Sequence, residues 1–336
     1  MTITFRRLTL LFVFACLGLP LEAATLKIAT IAPDGSSWMK AMRQGAEQVA
    51  EKTGGRVKLR FYPGGVMGND NSILRKIRIG QLHGGAITGG GLTAIYPDAQ
   101  IYSLPFRFRS LDEVDYVRQR MDPLLIEGIR REGFVSYGLS EGGFAYLMSK
   151  KPVTQLAELQ QQKVWVPEGD SISLAAFRAL DIAPIPLPLT DVLTGLQTEL
   201  INTVTTPAIG AIALQWHTRL QHLIDVPITY LYGTLIIREK ALNKLTAADR
   251  DVLSQVLTDT FVNINQQNRR DNEAALQALK NQGMQFIQPE EAQMQPWRQR
   301  VSQAVEAMVA EGRFSREIFD TLQQHLSDYR RAQQQP

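Results

Sequence analysis

The sequence predicts an α/β protein of two units, on three observations. Short apolar strands alternate with helical stretches from Ala24 onward, and the alternation resumes after residue 140. A helical pattern longer than the ordinary globular helix follows it. The length, 336 residues, suffices for two domains, and a composition 44% hydrophobic and 21% charged is that of a globular protein. The net charge of +3 is spread along the chain instead of gathering in a basic stripe, which argues against nucleic-acid binding.

The first 23 residues read as a signal peptide. Arg6 and Arg7 precede the apolar run "LTLLFVFACLGLPL", and small residues follow at Ala23 and Ala24. The run is shorter than the roughly 20 apolar residues that cross a bilayer. Cleavage after Ala23 removes the sole cysteine, Cys16. "VFAC" also resembles a lipobox, in which Cys16 would carry a lipid anchor, although Phe14 is bulky for that motif. An intact-mass measurement on the exported protein is expected to give a chain starting near Ala24; one starting at a diacylated Cys16 would reverse the assignment.

"LKIATIA" reads as a strand, and "SSWMKAMRQGAEQVAEKTGG" as a helix capped by Ser36 or Ser37 and stopped at Gly54-Gly55. "RVKLRFY" is a second strand, "NDNSILRKIRIGQL" a helix, and "GGAITGGG" a buried strand running into a loop. This order implies a parallel sheet. A second α/β unit is suggested by "GFAYLMS", "KVWVP", "SLAAFRAL" and "IAPIPL". The long helix runs from "LTAADRDVLSQVL" to "ALQALKNQG" with the polar tract "NQQNRRDNE" at its middle, placed to brace both halves. Two amphipathic helices finish the chain.

Catalytic signals are weak. "GLSEG" (138–142) matches the letters of a nucleophile elbow, but that motif needs a helix after the serine, and a strand pattern follows Ser140. His217 and His222 are five residues apart and do not stack on one helix face, so neither a metal nor another cofactor is expected. "GGAITGGGL" lacks the spacing of a phosphate-binding loop. Residue types alone thus give an exported two-domain α/β protein with a ligand in its cleft.

The run "IAPDGSSWMKAMRQGAEQVAEKTGGRVKLRFYPGGVMGNDNSILRKIRIGQL", the Tyr-Pro-Gly-Gly turn at 62–65, Leu104-Pro105-Phe106 and "PIPLPLTDVLTGLQTELINTVTTP" resemble the solute-binding subunit of TRAP (tripartite ATP-independent periplasmic) transporters, the DctP-like family. The resemblance implies a two-lobed periplasmic clamshell, a long helix spanning both lobes, delivery of a small molecule to TRAP membrane subunits, and no catalysis. It divides the chain into lobe I, residues 24–142 plus 231–268, and lobe II, residues 143–230 plus 269–336.

The departures from the family pattern concern the ligand. Where typical members carry an arginine that grips a carboxylate with its two-donor fork, this chain has Trp165. A second family arginine corresponds to Ala145, the usual asparagine to Thr206 and a ligand-packing aromatic to Leu189. Thr88 and Trp38 complete the candidate set. Each change has a plainer reading: Trp165 filling core space, Ala145 neutral, Thr206 satisfying local backbone. Together they imply an apolar or amphipathic ligand, because an anionic head group buried without a partner costs several kcal/mol. A subgroup that works beside a tetratricopeptide-repeat protein is associated with hydrophobic ligands, and this cleft is similar to it. The polar alternative is a solute held by Lys150, Lys151, Glu168 or Asp170, the last of which also suits a helix cap before Ser171. If Val164 and Val166 pack inward while Trp165 lines the cleft, Trp165→Ala is expected to cost little stability.

Overall fold

The computed structural model describes residues 23–334, so the signal-peptide segment and Cys16 lie outside the described residues. The first lobe contains β1 (Ala24–Thr30), α1 (Ser37–Lys52), β2 (Val57–Tyr62), α2 (Asp70–Arg78), β3 (Gly84–Thr88), one-turn α3 (Gly89–Leu92), a 3-10 stretch (Pro97–Ser103), α4 (Leu111–Arg131) and β4 (Phe134–Ser136). Strand β5 (Ser140–Ser149) leads into the second lobe, with α5 (Leu156–Leu159), β6 (Trp165–Pro167), α6 (Ser171–Ala179), β7 (Ile185–Leu187), α7 (Val192–Gln197), β8 (Thr203–Thr206), α8 (Ala208–Ala213) and β9 (His222–Ile224). Strand β10 (Thr229–Arg238) returns, followed by α9 (Glu239–Leu242), α10 (Ala247–Asn281), β11 (Gln285–Ile287), α11 (Glu291–Ala310) and α12 (Arg316–Gln334).

One mixed sheet, in the order β11-β9-β5-β10-β3-β1-β2, runs through both lobes. The expected parallel set is there: β1 pairs in parallel with β2 and with β3. Strand β10 is the exception, antiparallel to β3. It arrives from the second lobe and so enters the first sheet from the end at which β1, β2 and β3 finish. In the second lobe β8 pairs with β5, and the short pair β6-β7 joins through the Val164–Thr203 bridge.

The long helix covers both lobes. Its 35 residues extend about 52 Å at 1.5 Å per residue. Leu253, Val256, Leu257, Phe261 and Ile264 pack with β1, β2 and α1, whereas Ala275 and Leu279 pack with Met148, Trp165 and Val204. Between these stretches the polar tract meets β5 backbone. Asn265 accepts from the Glu141 N–H at 2.7 Å and donates to the Leu139 carbonyl at 3.0 Å. The Asn268 amide donates to the Glu141 carbonyl and that of Asn272 to the Gly142 carbonyl. Positions i, i+3 and i+7 share one helix face, so the three amides form a row over the strand. One face of the tract is polar because it satisfies strand backbone, while Gln266, Arg270 and Glu273 face water.

Helix starts follow the sequence closely. Ser36 accepts from Met39 N–H, which settles the choice between Ser36 and Ser37; Asp170 caps α6 through Ser173 N–H, and Thr246 caps α10. Strand "KVWVP" is shorter than its pattern, with regular pairing only from Trp165 to Pro167.

Candidate ligand cleft at the strand ends

Parallel strands leave a crevice beyond their carboxyl ends, and ligands of open α/β sheets bind there. Here the ends of β1, β2 and β3 face those of β6, β7 and β8. The Tyr-Pro-Gly-Gly turn is fixed to β1 by Gly64 N–H donating to the Ala32 carbonyl at 2.8 Å and Gly65 N–H to that of Thr30 at 3.0 Å. Both glycines have positive φ, +66° and +73°, a region in which a side chain would be strained. The two edges touch. Asn69, the cap of α2, donates its side-chain amide to Glu168 Oε2 at 2.9 Å, across from the loop that follows β6.

Thr88 ends β3 and caps α3, and its hydroxyl donates to Asp70 Oδ2 at 2.6 Å while its N–H donates to the same oxygen at 3.2 Å. A Cβ on Gly91 would lie 2.3 Å from that oxygen, so only glycine admits the carboxylate this close to α3. The other oxygen of Asp70, Oδ1, is buried and has no partner among the described residues. Burial pushes the Asp70 carboxyl above the usual carboxylate range, with the Thr88 hydrogen bonds pulling it back.

Trp165 is 3% exposed and packs inside its own lobe. Its ring meets Trp216 edge-on at 5.2 Å, among Val192, Leu196, Ile201 and Val204. The indole N–H donates to the Leu187 carbonyl at 3.0 Å, and the same carbonyl receives Glu168 N–H at 3.2 Å. Val164 and Val166 lie in a different core cluster, as the strand's alternation requires. The expectation that Trp165→Ala costs little stability is therefore corrected: both faces of this strand are packed.

The remaining candidates divide. Leu189 is half-buried against the Trp165 cluster, and Thr206, at the end of β8, pairs with Tyr146, whose side chain joins that cluster. Ala145 is buried one residue earlier on β5, so it shares a face with Leu147 in the opposite core. Trp38 is half-buried in the first turn of α1 and packs against the first-lobe core cluster. The structure thus groups Trp165, Leu189 and Thr206 on one side, sets Thr88 on the facing edge, and separates Ala145 and Trp38 from them.

Three of the four polar alternatives are engaged, and Lys151 is exposed without an ion-pair partner among the described residues. Asp170 caps α6, Glu168 accepts from Asn69, and Lys150 pairs with Glu199 at the surface. Ser140 heads strand β5 with no helix after it, so the nucleophile-elbow reading lacks its geometry. Asn69 and Asp70 were missed as cleft residues; the signal available was "GND", a cap pair opening a helix just after a glycine-rich turn.

Residues 28–312 match the family described as bacterial extracellular solute-binding protein, family 7, DctP. The chain belongs to this family. The C4-dicarboxylate-binding periplasmic protein DctP of Rhodobacter capsulatus is 22% identical over 257 residues, 75% of this chain and 76% of that protein. Protein YiiZ of Salmonella typhimurium is 26% identical over 161 residues, so the aligned part of the chain spans about half the length of that relative, 48%. Among solved structures, the sugar acid binding protein DctPAm from Advenella mimigardefordensis, in complex with galactonate, superposes with a TM-score of 0.84 at 19% identity, covering 91% of this chain and 99% of that one. The TRAP periplasmic solute-binding protein from Xanthobacter autotrophicus, with bound β-D-galacturonate, superposes with a TM-score of 0.82 at 16% identity, covering 90% of this chain and 99% of that one. The two-lobed α/β fold is that of such proteins, and the DctP family is one of solute-binding proteins rather than enzymes.

Proposed function

We propose that this DctP-family protein is the periplasmic solute-binding component of a TRAP-type transport system, capturing an apolar or amphipathic small molecule between the strand ends and delivering it to membrane subunits. The observation that carries the ligand class is the charge of the strand-end segments. Residues 30–38, 62–70, 88–91, 144–146, 165–170, 187–191 and 206–210 contain Asp34, Asp70, Glu168, Asp170 and Asp191 and no Lys, Arg or His. A carboxylate brought into this crevice would lose its hydration and find no cation within these segments; the basic groups that border them are already engaged, Lys76 on the Met67 carbonyl at 2.8 Å and Arg43 on Asp34. A tetratricopeptide-repeat partner accords with this reading through the likeness of the cleft alone.

A second reading has its own support. The Asp70 Oδ1 atom is buried without a hydrogen-bond partner, which favours a polar solute presenting a hydrogen-bond donor. The structural neighbour's galactonate is a polar acid, but at 19% identity that neighbour informs the fold and not the ligand.

Thermal melts of the mature protein against a panel separate these readings. Medium-chain alcohols and neutral aromatic compounds are expected to raise Tm, whereas galactonate, a monovalent acid, leaves it unchanged. A saturable stabilisation by galactonate would overturn the apolar assignment.

A further inference from the structure

A cavity of about 580 Å³, none of whose lining residues belongs to the strand-end segments, lies between the turn Pro105–Arg109, the lead-in to β10, helix α11 and Arg330 of α12. That size is within the ~300–1,000 Å³ of small-molecule sites. Four arginines line it, Arg107, Arg109, Arg298 and Arg330, with Glu291 as the one acid in its wall.

Two of the four are already neutralised. Arg330 donates to Glu113 through Nε at 2.7 Å and Nη2 at 3.0 Å, and Arg298 donates to Glu291 at 3.0 Å. Arg107 and Arg109 form no ion pair among the described residues. For Arg107 this matters, because its Nε and Nη2 atoms are buried without a hydrogen-bond partner, as is Nε of Arg298. The Arg107 guanidinium sits 5.4 Å from the Phe319 ring centre, a contact that does not use up its N–H groups. Burial pushes its pKa down, and the nearby Arg330 charge acts in the same direction while Glu306 opposes it. A buried guanidinium with open donors is costly unless an acceptor completes it.

The backbone points the same way. Phe106, in the cavity wall, has φ of +59°, a conformation that bulky residues rarely adopt and that clusters at ligand sites. It is held there by its N–H donating to the Ile228 carbonyl at 2.7 Å.

We infer that this cavity is a second binding site, separate from the strand-end cleft, for a small multivalent oxyanion of the carboxylate or phosphate class. Arg107 in the wall and Arg109 at the exposed edge both lack an ion-pair partner, and guanidinium groups are the side chains that bind planar or tetrahedral oxyanions. The site joins the turn before α4 to the start of β10 and to both C-terminal helices, so a bound anion links segments that are far apart in sequence.

Calorimetry on the mature chain at low ionic strength, with citrate and with inorganic pyrophosphate as probes, tests the site. At least one probe is expected to bind saturably, and Arg107→Met and Arg109→Gln are each expected to weaken it by about tenfold or more. The preferred probe distinguishes carboxylate from phosphate. Arg109 is exposed, so its variant carries no folding burden, and Arg107→Met is expected to melt no lower than wild type without ligand, since it removes an uncompensated charge. The inference fails if neither probe binds saturably, or if both variants bind as tightly as wild type, which would place the anion elsewhere.

Discussion

Glu141→Ala is expected to destabilise the protein by about 2–3 kcal/mol in urea titration, the cost of leaving a buried hydroxyl and guanidinium donors without their acceptor. Glu141 is 1% exposed, at the point where β5 passes under α10. Arg269 of α10 donates to both its carboxylate oxygens, Nε at 3.1 and 3.0 Å and Nη2 at 2.7 Å. The Tyr230 hydroxyl donates to it at 3.0 Å and accepts from Arg118 Nη1 at 2.9 Å. Arg118 is held in turn by Asp122 and by the Leu139 carbonyl. Removing the carboxylate leaves the Tyr230 hydroxyl without its acceptor and takes one of two acids from Arg269, which keeps Asp115, while Arg118 keeps Asp122. Asp115 provides the contrast: it also pairs with Arg269, but its side chain is 55% exposed, and such pairs contribute about 0–1 kcal/mol. Asp115→Ala losing as much as Glu141→Ala would show that burial does not set the ranking.

The position of this network explains what the sequence discloses and what it hides. Periodicity and caps were enough to place α1, α2, α6 and α10, because each begins at a Ser, Asn, Asp or Thr whose side chain accepts from the first turn. The polar tract of α10 was visible as a break in the apolar pattern, but its purpose was not. Only the crossing of β5 under the helix reveals that Asn265, Asn268 and Asn272 answer strand carbonyls and an N–H group. The direction of β10 was equally hidden, since a strand's pattern is the same whichever way it enters a sheet.

The candidate site was legible in composition and less so in geometry. The absence of basic residues from the strand ends can be read directly from the chain. Which face each side chain takes depends on register: Tyr146 pairs with Thr206, and this turns Ala145 to the far side of β5. A family correspondence aligns residues along the chain and carries no information about that rotation when the residue type has changed. For Trp165 the alternation with Val164 and Val166 is legible, but the choice between cleft and core is not, because Trp216 is some fifty residues away in sequence and meets it only in the folded lobe.

Trp165→Ala is accordingly expected to lose about 3–5 kcal/mol of stability, the range for deleting a buried large aromatic, with a marked fall in Tm. The deletion empties space between Trp216, Val192 and Val204 and removes an edge-to-face aromatic pair, itself about 0.5–1.5 kcal/mol. Trp165→Phe keeps much of the contact area and loses the indole hydrogen bond, net about 1 kcal/mol, while the Leu187 carbonyl retains Glu168 N–H. Trp165→Arg is expected to be the worst of the three, because a guanidinium placed among Ile201, Leu196 and Trp216 has no carboxylate to meet. The same Leu187 carbonyl anchors the loop carrying Glu168, which reaches Asn69 across the cleft, so the packed ring lies behind that loop. Melts of the three variants giving the order Phe, Ala, Arg from most to least stable support a tryptophan packed behind that loop. A Trp165→Ala protein that melts with wild type but no longer responds to the apolar panel would instead put the ring at the ligand and out of the core.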